Sequence, residues 1–176
     1  TGQMTKSKLT KAPALGIDIG GVLIRPARES GDTSFFSSGY LDTPMIDGAF
    51  DAVRRLNREV FPDSVFLISK AKSGTAQKTR EWLAHRDFHG VTNVPLERVY
   101  FCERREDKAP IARRLRLSAF VDDRLDVLEH LQGVALRILF AAGLEWVSQA
   151  RAPEGVRSAV GWAETLTILE ETRRRL

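Results

Sequence analysis

The chain has 176 residues, 43% hydrophobic and 28% charged, which fits one soluble globular domain long enough to bury a core. Its single cysteine, Cys102, excludes an intrachain disulfide framework and a cysteine-rich zinc site. The formal charge of +4 is a modest basic excess, gathered in clusters such as Arg104-Arg105 and Arg113-Arg114. Such clusters read as solvated helix faces or as attraction for an anion such as a phosphate ester, and no nucleic-acid-binding motif accompanies them.

In chain order, residues 1–13 are polar and expected to be disordered, leaving one α/β domain over 14–176. Residues 14–24 read as a buried strand, LGIDI, running into a glycine turn. Residues 25–44 lack a sustained period and read as a long loop, with Phe35, Phe36 and Tyr40 as candidates for stacking on a substrate base. Residues 47–60 place Phe50, Val53, Leu56 and Val60 on one helical face, and Pro62-Asp63 ends that helix. A strand at 64–69, a helix at 76–85 and a strand at 98–102 follow. Then come a helix at 108–115, a strand at 118–121, a helix at 127–131, a strand at 134–140 and a closing helix at 162–174. No apolar run reaches membrane-spanning length and the N-terminal stretch lacks a signal-peptide core, so a cytoplasmic location and no membrane partner are expected.

Strands alternating with helices predict a Rossmann-like three-layer α/β/α sandwich around a mostly parallel sheet, here with five strands. In such sheets functional groups collect beyond the carboxyl ends of the strands. There the sequence places Asp18, Ser69 and the Asp122-Asp123 pair, with Lys108 opening the helix before the fourth strand and Asp126 one turn beyond it. Oxygen-only ligands suit Mg²⁺, a hard cation that bridges to phosphate. A carboxylate can attack phosphorus, while a hydroxyl and a lysine hold the transferring oxygens.

GIDIGGVLI, FLIS, Lys108 and FVDDRLD follow the order and spacing of the four motifs of the haloacid dehalogenase superfamily, which the chain resembles. PMIDGAFDAVRRLN, EDKAP, RILF and GWAETLTIL extend the likeness toward the 5′(3′)-deoxyribonucleotidase group. VDDR-x-x-V is also similar to the phosphatase half of polynucleotide kinases. The resemblance implies that Asp18 is the nucleophile and a metal ligand and that the Gly20 carbonyl is a second ligand. It also implies that Ser69 and Lys108 hold the phosphoryl group and that Asp123, with Asp122 beside it, completes the Mg²⁺ site. Asp126 belongs to an outer shell. Gly20, Gly21 and Lys70 are assigned to the substrate side. The implied partner is a phosphorylated small molecule, a nucleotide first and a nucleic-acid end second. The short span between the first two motifs implies a minimal cap.

The chain departs from the family at Gly20. Phosphatases of the family carry there the Asp that protonates the leaving alkoxide, a contribution of about 10²–10⁴ in rate. Three outcomes follow: a substrate whose leaving group needs no acid, a substitute donor such as Asp32, or binding without turnover. GIDIGG also matches the first phosphate motif of sugar-kinase and actin-like ATPases. That fold needs two large lobes and further glycine-rich motifs, and the hydroxyl after the glycines is here Val22.

Overall fold

The computed structural model describes residues 11–26, 38–141 and 153–176. Asp32, Phe35, Phe36, most of the expected disordered segment and much of the expected cap lie outside them. Six strands make one sheet: β1 Leu15–Ile17, β2 Val65–Lys70, β3 Val99–Cys102, β4 Ala119–Asp122, β5 Leu136–Ala141 and β6 Val156–Val160. The order is β3-β2-β1-β4-β5-β6 and every pairing is parallel. Chain progression therefore runs one way from β1 to β3 and the other way from β4 to β6. β1 and β4 are neighbours across this reversal, with Ile17 opposite Val121.

The helices are α1 Ala49–Arg55, α2 Ser73–His85, α3 Phe88–Thr92, α4 Lys108–Leu115, α5 Leu125–Glu129 and α6 Gly161–Thr172. Alternate strand residues sort into two cores, as the period-two geometry of a strand requires. Leu15, Ile17, Leu67, Val121 and Ile138 pack with Phe50 of α1, Trp82 of α2, Phe88 of α3 and Trp162 of α6. Ile68, Phe120 and Leu139 face the other way, toward Ala112 of α4 and Val127 and Leu128 of α5. Burial on both faces explains why the central strands read as apolar runs rather than alternations. Gly16 lies on the second face, where a Cβ would come within 2.6 Å of the Leu117 and Phe120 side chains.

Three differences from the sequence reading have physical causes. The sheet has a sixth strand, β6, in which only Val156 and Ala159 are buried and Arg157 and Val160 are exposed. An edge strand that gives one buried residue to each core, Ala159 to the first and Val156 to the second, lacks the apolar run that marks a central one. The expected helix over 47–60 is α-helical only to Arg55; Leu56–Val60 widen into a π-turn, with the Phe61 N–H donating to the Leu56 carbonyl at 2.7 Å. The helix α3 is too short for a helical period to register. Among the described residues no helix is long and apolar enough to cross a membrane.

Candidate active site

Beyond β1 the chain makes a tight turn that keeps Asp18 at the strand end. The Asp18 N–H donates to the Val121 carbonyl at 2.9 Å, which continues the β1–β4 ladder by one residue. The Ile19 carbonyl accepts from the N–H groups of Val22, Leu23 and Ile24 at 2.8–3.2 Å. Gly21 sits at φ +77°, a left-handed conformation that favours glycine. Trp162 of α6 donates its Nε1–H to the Val22 carbonyl at 2.8 Å, so the closing helix anchors the turn.

Asp18 ends β1 and Asp122-Asp123 end β4, so adjacent strands bring the carboxylates together at the point where chain order reverses. Oxygens of Asp18, Asp122 and Asp123 lie within 4.8 Å of one another. Lys108, the first residue of α4 and buried at 2% exposure, enters this cluster. Its Nζ lies 2.8 Å from Asp122 Oδ2 and 3.1 Å from Asp18 Oδ1. The second Asp122 oxygen accepts the Arg124 N–H at 3.0 Å.

Three carboxylates face one ammonium, and the titration behaviour reflects that imbalance. Burial and the Asp18 charge push Asp122 well above the usual carboxylate range, against the pull of Lys108. Asp123 is pushed up to about 7 by desolvation, the Asp18 charge and a hydrogen bond with Asp18. Asp123 is exposed as a residue, but its carboxylate turns inward against Gly21, where a Cβ would lie 2.1 Å from Oδ2. Burial alone would lower Lys108; the charges of Asp18 and Asp122 and its hydrogen bonds to both outweigh burial and raise it.

A cleft of about 170 Å³ opens over this cluster, lined by Asp18, Gly20, Ser69, Lys70, Lys108 and Asp123, with Arg105 and Arg124 at its side. A second space of about 240 Å³ adjoins it and shares Gly20, Ser69, Lys70 and Asp123. The sequence-predicted residues thus meet at one rim. Gly21 lines the second space, and Asp122 lies beneath the cleft, its two oxygens held by Lys108 and the Arg124 N–H.

No family model matches the sequence, and no curated protein does. Solved structures do match. A haloacid dehalogenase-like hydrolase from Burkholderia xenovorans LB400 aligns with a TM-score of 0.64 at 10% identity, over 89% of this chain and 96% of that one. An HAD family hydrolase from Deinococcus radiodurans R1, solved with bound phosphate and sodium, aligns at 0.63 and 14% identity, over 91% and 96%. D,D-heptose 1,7-bisphosphate phosphatase from Burkholderia thailandensis aligns at 0.56 and 15% identity, over 89% and 97%. The chain has the fold of the haloacid dehalogenase-like hydrolases.

Within this fold the donor set suits a hard divalent cation: oxygen ligands only, with three carboxyl groups facing the single ammonium of Lys108. Asp18 and Asp123 line the cleft, whereas Asp122 lies beneath it with its two oxygens accepting from Lys108 and the Arg124 N–H. Asp126 does not reach the cleft. It pairs with Arg124 at 3.1 Å and Arg105 at 3.4 Å and so tethers two cations beside the opening. Arg105 belongs to a cluster read from the sequence as a solvated face or as attraction for an anion, and Arg124 was read only as part of the VDDR motif; both lie beside the cleft. Trp82 and Trp162 are core residues. Tyr40 is tied by its hydroxyl to Glu81, away from the cleft lining.

Proposed function

We propose that the chain is a Mg²⁺-dependent phosphohydrolase that forms an aspartyl-phosphate at Asp18. Its substrate is a phosphate monoester on a small molecule in the cytoplasm, and the motif likeness suggests a nucleotide. The observation that carries the reading is the meeting of Asp18, Asp123 and buried Lys108 under a cleft that also exposes Ser69. Asp18 presents a carboxylate oxygen to phosphorus, and Lys108 orients it by its contact at Oδ1. Ser69 and Lys108 hold the transferring oxygens, Lys70 meets the rest of the substrate, and the turn at Gly20-Gly21 lets it approach the backbone. Asp18, Asp123 and the Gly20 carbonyl would hold Mg²⁺, with Asp122 behind them fixing Lys108. The ion would supply charge neutralisation at the phosphoryl group.

A second reading rests on Gly20: a relative that binds a phosphorylated ligand without turning it over. Phosphate release from a panel of phosphate monoesters, nucleoside monophosphates included, separates the two. The enzyme reading expects Mg²⁺-dependent release that chelation stops and Asp18→Asn abolishes. No release from any ester by the wild type, with release gained in Gly20→Asp, establishes the silent relative instead. The site admits that variant, since a Cβ at Gly20 meets no neighbouring heavy atom within 4 Å.

A further inference from the structure

The space beside Gly20 constrains the leaving group; this inference rests on the phosphohydrolase reading above and sets its nucleotide substrate aside for one with a better leaving group. Position 20 offers no proton donor, and the room an acid would fill is open. No histidine, cysteine or tyrosine is among the described residues lining the cleft or the space beside it. The acids there are Asp18 and Asp123, which the reading commits to phosphorus and metal. The adjoining space continues directly from the cleft and is walled by Ile19, Ile24, Pro26, Ala71, Thr75 and Thr79. Thr79 spends its hydroxyl proton on the Thr75 carbonyl at 2.8 Å, and Arg25 is paired with Asp47 at 3.0 Å. Lys70 stands at the junction of the two spaces with no ion-pair partner among the described residues.

We propose that the preferred substrates are aryl phosphates, with the ring seated in this apolar space and the departing oxygen facing Lys70. An aryl oxide leaves without prior protonation, since a phenol ionises near pH 10 as tyrosine does, whereas an alkoxide is far more basic. In the first step an Asp18 oxygen bonds to phosphorus as the phosphorus–oxygen bond to the ring breaks, and the phenolate carries off the electron pair. In the second, water attacks phosphorus, its proton passes to solvent, and the Asp18 carboxylate and inorganic phosphate are released. An aromatic ring matches the apolar walls, and the Lys70 ammonium offsets the charge that grows on the departing oxygen.

The test compares kcat/KM for phenyl phosphate and 4-nitrophenyl phosphate with that for a nucleoside 5′-monophosphate and glycerol phosphate, all with Mg²⁺. The wild type is expected to favour the aryl esters by about 10²-fold or more, with the rate rising with leaving-group acidity. Gly20→Asp is expected to narrow the gap by raising the alkyl esters. Thr75→Phe, which fills the space, is expected to raise KM for phenyl phosphate several-fold without changing inhibition by inorganic phosphate. Equal kcat/KM for aryl and alkyl esters in the wild type, or an unchanged KM in Thr75→Phe, overturns the leaving-group assignment and leaves the phosphohydrolase reading intact. Absence of Asp18-dependent turnover of every ester overturns both.

Discussion

Lys108 and Arg137 are both buried cations, at 2% and 7% exposure, yet they sit at opposite ends of the sheet in opposite kinds of surroundings. Lys108, at the carboxyl rim, touches the carboxylates of Asp18 and Asp122. Arg137 enters near the start of β5 and meets backbone alone. Its Nη1 donates to the Leu128 carbonyl at 2.9 Å, near the end of α5, and its Nη2 to the Glu154 carbonyl at 2.8 Å, before β6. Gly155, at φ +80°, makes room, for a Cβ there would lie 2.6 Å from Nη2. Arg137 spans α5, β5 and the chain entering β6 with fixed dipoles and no ion pair among the described residues. Lys108 instead sits against carboxylates at the rim where the proposed metal and phosphoryl group would bind. A buried charge answered by carbonyls is a staple; one answered by an excess of carboxylates is a candidate site.

The largest effect that tests this contrast is Lys108→Met. It strands Asp18 and Asp122 without a counter-charge, a loss of about 3–5 kcal/mol at neutral pH for breaking a buried pair. The deficit should shrink as pH falls and the carboxylates take up protons, and urea unfolding at pH 5 and pH 8 measures it. Arg137→Met should cost less, about 1–3 kcal/mol, because the Glu154 carbonyl loses its donor while the Leu128 carbonyl keeps the Leu131 N–H at 3.1 Å. Its cost should be the same at both pH values, with phosphate binding retained. An equal pH dependence in the two variants would erase the distinction.

Asp123 sharpens the comparison through metal. Its pKa in the folded protein is about 7, above the carboxylate value of the unfolded chain. The native state without metal therefore holds a proton that the unfolded state has released between those values. Stability from this group is present in full below the unfolded value and is lost as pH rises through about 7. Mg²⁺ must displace that proton, so its affinity should strengthen as pH rises toward 7, by up to about tenfold per pH unit, and level off above. Calorimetric titration in buffers of different ionisation enthalpy reads the released proton directly. Arg137→Met should leave this profile in place, and Asp123→Asn should flatten it.

What the sequence made legible divides along the same line. Asp18, Ser69, Lys108 and the Asp122-Asp123 pair could be found because a parallel sheet sends strand ends to one rim, and because acids on apolar strands are costly without a purpose. The sheet itself was legible where strands are buried on both faces. β6 was hidden because this edge strand buries only Val156 and Ala159 and so shows neither an apolar run nor an alternation. Arg137 was hidden because the run VALRILF reads as a strand whatever its fourth residue does, and backbone carbonyl partners leave no pattern in side-chain identities. The split between Asp122 and Asp123 followed from the family resemblance, while the two donors that hold Asp122, Lys108 and the Arg124 N–H, left no pattern to read.

The smallest effects concern two adjacent glycines that look alike in sequence and differ in space. Gly21 has φ +77°, and a Cβ there would lie 2.1 Å from Asp123 Oδ2. Gly21→Ala should therefore cost about 1–2 kcal/mol for the left-handed backbone. It should also push the Asp123 carboxylate aside, so Mg²⁺ affinity falls along with stability. At Gly20 a Cβ meets no neighbouring heavy atom within 4 Å. Gly20→Ala should leave stability within about 0.5 kcal/mol of wild type and Mg²⁺ affinity unchanged, because a backbone carbonyl serves the metal whichever side chain follows. Thermal unfolding with and without Mg²⁺ distinguishes the two. A loss of metal affinity in Gly20→Ala as large as in Gly21→Ala would mean that glycine at position 20 is required by the turn. Equal stability with intact metal binding would mean that the turn tolerates a side chain there, so that the missing acid is a property of the chemistry and not of the fold.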